Sequence, residues 1–210
     1  MEPLFKDSRT PPEAPRLYRD LADWYPLLTP LDDYAEEALF YHRLFETHCR
    51  RKLQTLLDLG HGGGRDAAHR KTAFAHTAPG GVALFQPDFV FETFEEGTES
   101  GGSDREGRGL RYLEWRWLPE GSKDRYVTDM AYMMRDEKGK TTVIHDRHVM
   151  GLFPRSLWLG LIEAAGFLSL AVPFSHPSWP GVGTEIFLGL KPTKKDGPGS
   201  LPCPSEGERL

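Results

Sequence analysis

The sequence predicts an α/β fold in a single folded domain, and three observations predict it. A short apolar run, Leu53 to Leu59, empties into a glycine-rich turn and then a helical stretch, which is how an α/β unit opens. Between residues 110 and 150 the pattern changes to a two-residue period, the mark of half-buried antiparallel strands. A helix with one apolar side, stopped by Gly166, then leads into two last apolar strands. At 210 residues the chain is long enough to bury one sizeable core.

Taken in order, residues 1–15 hold four prolines and few apolar groups, and read as a loose arm. Asp32 and Asp33 precede apolar residues at Tyr34, Ala38, Tyr41 and Phe45. That spacing marks one face of a helix with acids at its positive end, and Arg50-Arg51-Lys52 close it with cations. Leu53–Leu59 is a strand, Gly60–Gly64 a turn, and residues 65–78 a helix ending at Pro79-Gly80-Gly81. Val82–Phe85 is a second buried strand that stops at Gln86-Pro87-Asp88. Five glycines between Gly97 and Gly109 predict a flexible connector. Next comes a three-stranded antiparallel block. Leu113, Trp115 and Trp117 alternate with Glu114 and Arg116, and strands 126–135 and 140–150 are joined by a turn at Asp136–Gly139. Pro154 opens a helix, and strands 167–174 and 184–190 follow. The folded domain is expected over 16–191, with 110–150 as the antiparallel insertion and 192–210 as a disordered tail.

Composition narrows the function. The formal net charge is −5, with 26 basic and 31 acidic residues, where a nucleic-acid binder would be basic overall. No nucleic-acid partner is therefore expected. Cys49 and Cys203 are the two cysteines, too few for a disulfide framework and in keeping with a reducing compartment. The first fifteen residues lack the apolar segment of a secretory signal, and the most membrane-like stretch, 157–172, is short and carries Glu163. A cytoplasmic protein without a membrane partner is expected.

Chemistry concentrates in Asp58-Leu59-Gly60-His61-Gly62-Gly63-Gly64. Glycines let backbone approach a ligand, and the helix that follows offers free N–H groups. Asp58, at the strand's end, can accept from an amine or hydroxyl. The competing reading is a plain tight turn. A nucleotide phosphate loop fits less well, because no Lys-Ser/Thr pair follows the glycines. Asp88 sits just past a strand end, where open α/β sheets bind ligands. His145 and His148 are either candidate general bases or ordinary sheet histidines. Three residues apart on a strand they point to opposite faces, so no shared metal is expected. The aromatic and methionine residues of the antiparallel block, among them Trp115, Tyr126, Met130 and Tyr132, read as core, a dimer face or a substrate wall.

Asp58-x-Gly60-x-Gly62-x-Gly64 after an apolar strand resembles motif I of the class I S-adenosylmethionine-dependent methyltransferases. Three further segments agree in order. Ala78–Phe85 resembles that family's strand led by Pro-Gly-Gly. His145–Arg155 with the helix ending at Ala164-Ala165-Gly166 is similar to the block after the inserted strands of small-molecule N-methyltransferases. Tyr18 to Tyr25 is similar to the aromatic lid helices of that group. The resemblance spans roughly 16–191 and implies a Rossmann-like sheet that uses S-adenosylmethionine to methylate a small amine or amino sugar, most simply at nitrogen. It further implies that Asp58, Gly60, His61, Gly62 and Gly64 hold the methionine half of the cofactor, with Tyr25 covering it and Asp88 nearby. His145 or His148 would orient or deprotonate the acceptor.

The chain departs from the family in its middle. Fourteen residues separate Gly64 from Pro79, enough for one helix of about four turns. The family places several strand–helix units there, with its ribose and adenine contacts. A shortened Rossmann-like sheet is therefore expected, in the order first, fifth, seventh, sixth, with the first and fifth strands parallel. Cofactor affinity should be poor and the activity is in doubt. The alternative is a non-catalytic, methyltransferase-derived binding or oligomerising protein, and a homodimer is expected to cover the first strand's exposed edge.

Overall fold

The computed structural model describes residues 15–29, 34–56, 67–175 and 183–194. They fall into two compact units. The unit of Asp32–Glu96, Trp117–Tyr126 and Met150 onward is a helix–sheet–helix sandwich. Its helices are α2 (Tyr34–His48), α3 (Ala67–His76) and α4 (Arg155–Ala164), and its sheet has the order β1 (Val82–Phe85), β8 (Gly183–Leu190), β7 (Leu168–Ser175). Both pairings are antiparallel, with Val82 opposite Leu190 and Leu168 opposite the same residue.

Strand alternation sorts the apolar side chains onto two faces. Val82, Leu84, Ile186 and Leu188 pack with Leu44, Phe40 and Tyr41 of α2. Ala83, Phe85 and Phe187 pack on the other side with Ala73 and Phe74 of α3 and with Trp158 and Ile162 of α4. Ile186, Phe187 and Leu188 of the central strand are fully buried, each contributing about 1.5–3 kcal/mol of transfer free energy. The start of α4 is held from elsewhere in the unit. The Arg155 backbone N–H donates to Glu92 at 2.9 Å, and its Nε donates to Glu185 at 2.8 Å. Gly166, at φ 105, ends the helix as the sequence predicts.

The order β1, β8, β7 matches the last three positions of the expected sheet, and α2, α3 and α4 lie where periodicity puts them. The first strand does not follow expectation. Lys52–Leu56 are irregular and exposed, and 57–59 lie outside the described residues. The described part of this sheet contains no parallel pair, because the chain leaves α2 at Arg50, donates its backbone N–H to Gly80 O at 2.8 Å, and then runs into solvent. Among the described residues β1 pairs only with β8. Likewise β7 pairs only with β8, and its own strand carries the exposed Pro173.

The second unit holds the described residues before Leu31, with Gly97–Arg116 and Val127–Val149. Its sheet has five strands rather than three: β2 (Gly97–Gly101), β3 (Asp104–Arg105), β4 (Arg108–Trp117), β5 (Arg125–Arg135) and β6 (Thr141–Gly151). The expected glycine connector is thus β2, β3 and the start of β4. Its glycines serve a tight turn: Gly102 sits at φ 121, and a Cβ there would lie 2.1 Å from Leu110 O. Two 3-10 turns (Arg16–Tyr18 and Ala22–Trp24) and α1 (Tyr25–Leu28) cover one face, burying Leu17, Leu21 and Leu27 against Leu110, Met130 and Met134. Among the described residues no helix is long and apolar enough to cross a membrane. The expected terminal arm and tail, 1–15 and 192–210, lie almost wholly outside the described residues.

Candidate functional site

The buried polar and charged side chains of the described chain are Arg116, Thr128, Asp146 and His148. They sit on β4, β5 and β6, at positions whose neighbours along the strand are more exposed or face the other way. Burial of such groups is costly unless each is hydrogen-bonded, so the partners of these groups on the inner face of the sheet define the candidate site.

Along β6 burial alternates: His145 and Arg147 are exposed, and Asp146 and His148 are buried. The two histidines therefore lie on opposite faces, as strand geometry requires. On the inner face the Asp146 carboxylate accepts the backbone N–H of Arg16 at 3.0 Å on Oδ1 and that of Leu17 at 3.0 Å on Oδ2. His148 Nε2 lies 3.1 Å from the same Oδ2. This acid, some 130 residues away in sequence, satisfies the free donors of the first helical turn. The Tyr18 ring stands 6.0 Å from the His148 ring and 6.3 Å from that of Tyr25. Tyr25 packs on the core beneath the two turns.

Deeper on the same face, Tyr132 is fully buried and its hydroxyl has no hydrogen-bond partner among the described residues. Burial first, then the Asp146 charge, push its ionisation well above the ordinary tyrosine range. On β4, Arg116 donates to Glu99 at 2.6 Å and to Glu114 at 2.9 Å. Burial works against the guanidinium charge, but its hydrogen bonds to Glu114 and Glu99 outweigh it and hold the group above its ordinary value.

The outer face carries a second, exposed ion cluster. Asp129 accepts from His145 Nε2 at 2.7 Å and from Arg147 Nε and Nη2 at 2.7 and 2.9 Å. His145 is thus tied into a surface network, while His148 is enclosed. In the other unit, exposed Asp88 accepts from Tyr126 Oη at 3.5 Å, beside the aromatic group of Phe89, Phe94 and Tyr126. Asp58, Gly60, His61, Gly62 and Gly64 lie outside the described residues. Of the sequence candidates, the structure brings His148 and Tyr25 to one aromatic cluster, bridged by Tyr18, and turns His145 away from it.

Two features escaped the sequence. Alternation in β4 was legible, but its apolar side, Leu113 and Trp115, is exposed, and its charged side, Glu114 and Arg116, faces inward. The salt-bridge partner Glu99 lay in a segment read as a connector, so no signal marked it. The unsatisfied Tyr132 hydroxyl depends on packing alone. Two shallow depressions, about 140 and 360 Å³, adjoin Asp23 and Arg108. In the larger, the Arg108 guanidinium stacks 3.9 Å from the centre of the Trp24 ring. Neither is lined by Tyr25, Asp88 or either histidine. Among the described residues no cluster of His, Cys, Asp or Glu is set to hold a metal.

No protein-family model matches the chain, and no curated protein sequence matches it. Among solved structures, it is similar to DesVI of Streptomyces venezuelae at 22% identity, covering 60% of this chain and 50% of that one, with a TM-score of 0.49. It is also similar to S-adenosylmethionine-bound CalS10, an amino pentose methyltransferase from Micromonospora echinaspora involved in calicheamicin biosynthesis. There the identity is 19%, over 59% of this chain and 50% of that one, with a TM-score of 0.45. The chain spans about half the length of each.

Proposed function

We propose that the chain derives from the small-molecule S-adenosylmethionine-dependent methyltransferases and binds a small amine or amino-sugar acceptor for N-methylation. The family reading rests on the order of its sequence motifs. Support comes from the Pro79-Gly80-Gly81 turn, which leads directly into β1 with Gly80 at φ 78, and from the strand order β1, β8, β7. The single observation that carries the acceptor reading is the gathering of buried polar groups on one face of the five-stranded sheet. These groups are set among the apolar side chains Leu110, Met130 and Met134 of the same face. An amine- or hydroxyl-bearing ligand needs donors and acceptors such as Asp146, His148 and Tyr132.

Bound S-adenosylmethionine would supply an electrophilic methyl group. The chain's own residues would position the acceptor and take one proton, with His148 as the base and Asp146 orienting it. Asp58 and the glycine turn are the residues to hold the methionine half. Between that turn and Pro79 the described residues form α3 alone, so no strand end is at hand there for the ribose hydroxyls. Weak cofactor binding is the expected result. Isothermal titration with S-adenosylmethionine and S-adenosylhomocysteine tests the reading: a dissociation constant at or below the millimolar range supports it, and silence at millimolar ligand rejects it.

The same shortened middle favours a second reading, a non-catalytic binding or oligomerising descendant. It predicts no cofactor heat and a mass by light scattering above that of one chain. A homodimer would also supply β1 with a neighbouring strand.

A further inference from the structure

We propose that Asp146 is a positioning residue with two linked tasks: it fixes which nitrogen of His148 carries the proton, and it latches the N-terminal helical turn over the sheet. The proposal deepens the acceptor-site reading, on which its catalytic meaning rests, but its geometry is independent of that reading. An ionised carboxylate only accepts hydrogen bonds. Arg16 N–H donates to Oδ1 and Leu17 N–H to Oδ2, each at 3.0 Å. His148 Nε2, 3.1 Å from Oδ2, must therefore donate as well. In the neutral ring the hydrogen sits on Nε2 and the lone pair on Nδ1. Nδ1 makes no hydrogen bond among the described residues.

The surroundings reinforce the assignment. Asp146 is 5% exposed, so water competes little for its lone pairs. Among the described residues the charged and titratable groups beside the pair include Arg16, itself paired with Asp20, Tyr18 from the turn and Tyr132 on β5, with Glu114 and Tyr112 of β4 acting in turn on Tyr132. Arg16 and its partner are exposed and partly screened, and Tyr132 has no hydrogen bond with which to claim the carboxylate. One acid thus serves both the turn that carries Tyr18 and the ring that Tyr18 covers. Seating of the turn and orientation of the imidazole become a single event. The general chemistry is that of a carboxylate that selects a histidine tautomer, where amide replacement preserves shape and inverts the proton's place.

The test is nitrogen-15 NMR of histidine in the full chain at pH 8. The expected result for His148 is the Nε2–H tautomer. In Asp146→Asn the carboxamide still accepts a backbone N–H through its oxygen but offers its own N–H to the ring. That N–H takes the place of Oδ2, so the carboxamide oxygen stands at the Oδ1 position. The expected outcome is the Nδ1–H tautomer, with the Arg16 amide still protected and the Leu17 amide, which loses its acceptor, exchanging faster. An Nδ1–H tautomer in the unaltered chain, or no change in Asp146→Asn, overturns the positioning role. For the latch, the Leu17 amide should exchange at least ~3-fold faster in Asp146→Ala, and an unchanged rate overturns it. The tautomer of the unaltered chain needs no substitution, so a variant that fails to fold leaves the test intact. None of these readouts requires methyl transfer. A chain silent toward S-adenosylmethionine but with this tautomer would reject the methyl-transfer reading and leave this one standing.

Discussion

Arg116 carries a full charge into the interior of the five-stranded sheet, and Glu99 and Glu114 hold it there at 2.6 and 2.9 Å. Arg116→Ala leaves half-buried carboxylates facing each other without a cation. The expected loss is about 2–3 kcal/mol, read from urea unfolding. Pairing Arg116→Met with Glu114→Gln should recover most of it, because the stranded charge is then gone. His48, at the end of α2, titrates in the other direction from a surface histidine. Burial lowers its pKa below the ordinary 6.5. The unfolded chain therefore takes up the proton first, and His48's contribution is intact above about pH 6.5 and lost as pH falls through the folded value. His48→Gln should flatten that part of the stability–pH curve, and an identical slope in the variant would refute the assignment. Spacing alone placed His145 and His148 on opposite faces of β6, as the alternating burial shows. The alternation of β4 was legible but not which side faces inward: Leu113 and Trp115 are exposed, and Arg116 is buried with Glu114 and Glu99 as its partners.

At the scale of elements, the glycines of the two turns that flank β3 separate two physical demands. Gly102 combines a positive φ of 121 with a backbone oxygen 2.1 Å from where a Cβ would stand. Gly107 shares the left-handed conformation at φ 78, yet its nearest neighbour is the Glu137 side chain at 3.8 Å. Gly107→Ala should cost only the conformational penalty, about 1–2 kcal/mol. Gly102→Ala adds overpacking of about 1–3 kcal/mol. Thermal melts of the two variants should rank in that order. A glycine-rich stretch looks alike in sequence whether it frees the chain or lets it turn tightly. Only the pairing of Ser100 with Leu113 and of Asp104 with Gly109 tells the two apart. Helices were more legible: α2 and α4 each declare an apolar stripe and a terminal signal.

For the whole molecule, each unit carries its own core, Leu110 and Tyr132 in one and Ile162, Phe187 and Leu188 in the other. Between α2 and α3 the described chain runs exposed from Arg51 to Leu56. Brief trypsin treatment should cut there, after Arg51 or Lys52, before it cuts within any described strand. Mass spectrometry of the first fragments checks this, and early cleavage within β4 or β5 would contradict it. The expected first strand is what the sequence misplaced most. Four leucines in seven residues satisfy a strand pattern, but a strand also needs a neighbour, and among the described residues Leu53–Leu56 have none and stay exposed.

The smaller sheet has unequal margins. At β7 the ring of Pro173 replaces an amide hydrogen; at β1, Val82–Phe85 offers neither proline nor charge. Among the described residues the border at β1 is therefore the one where a stray peptide can template, so heat-damaged material should coalesce from that side. A short capping peptide matched to Val82–Phe85 is the natural means of keeping concentrated protein clear.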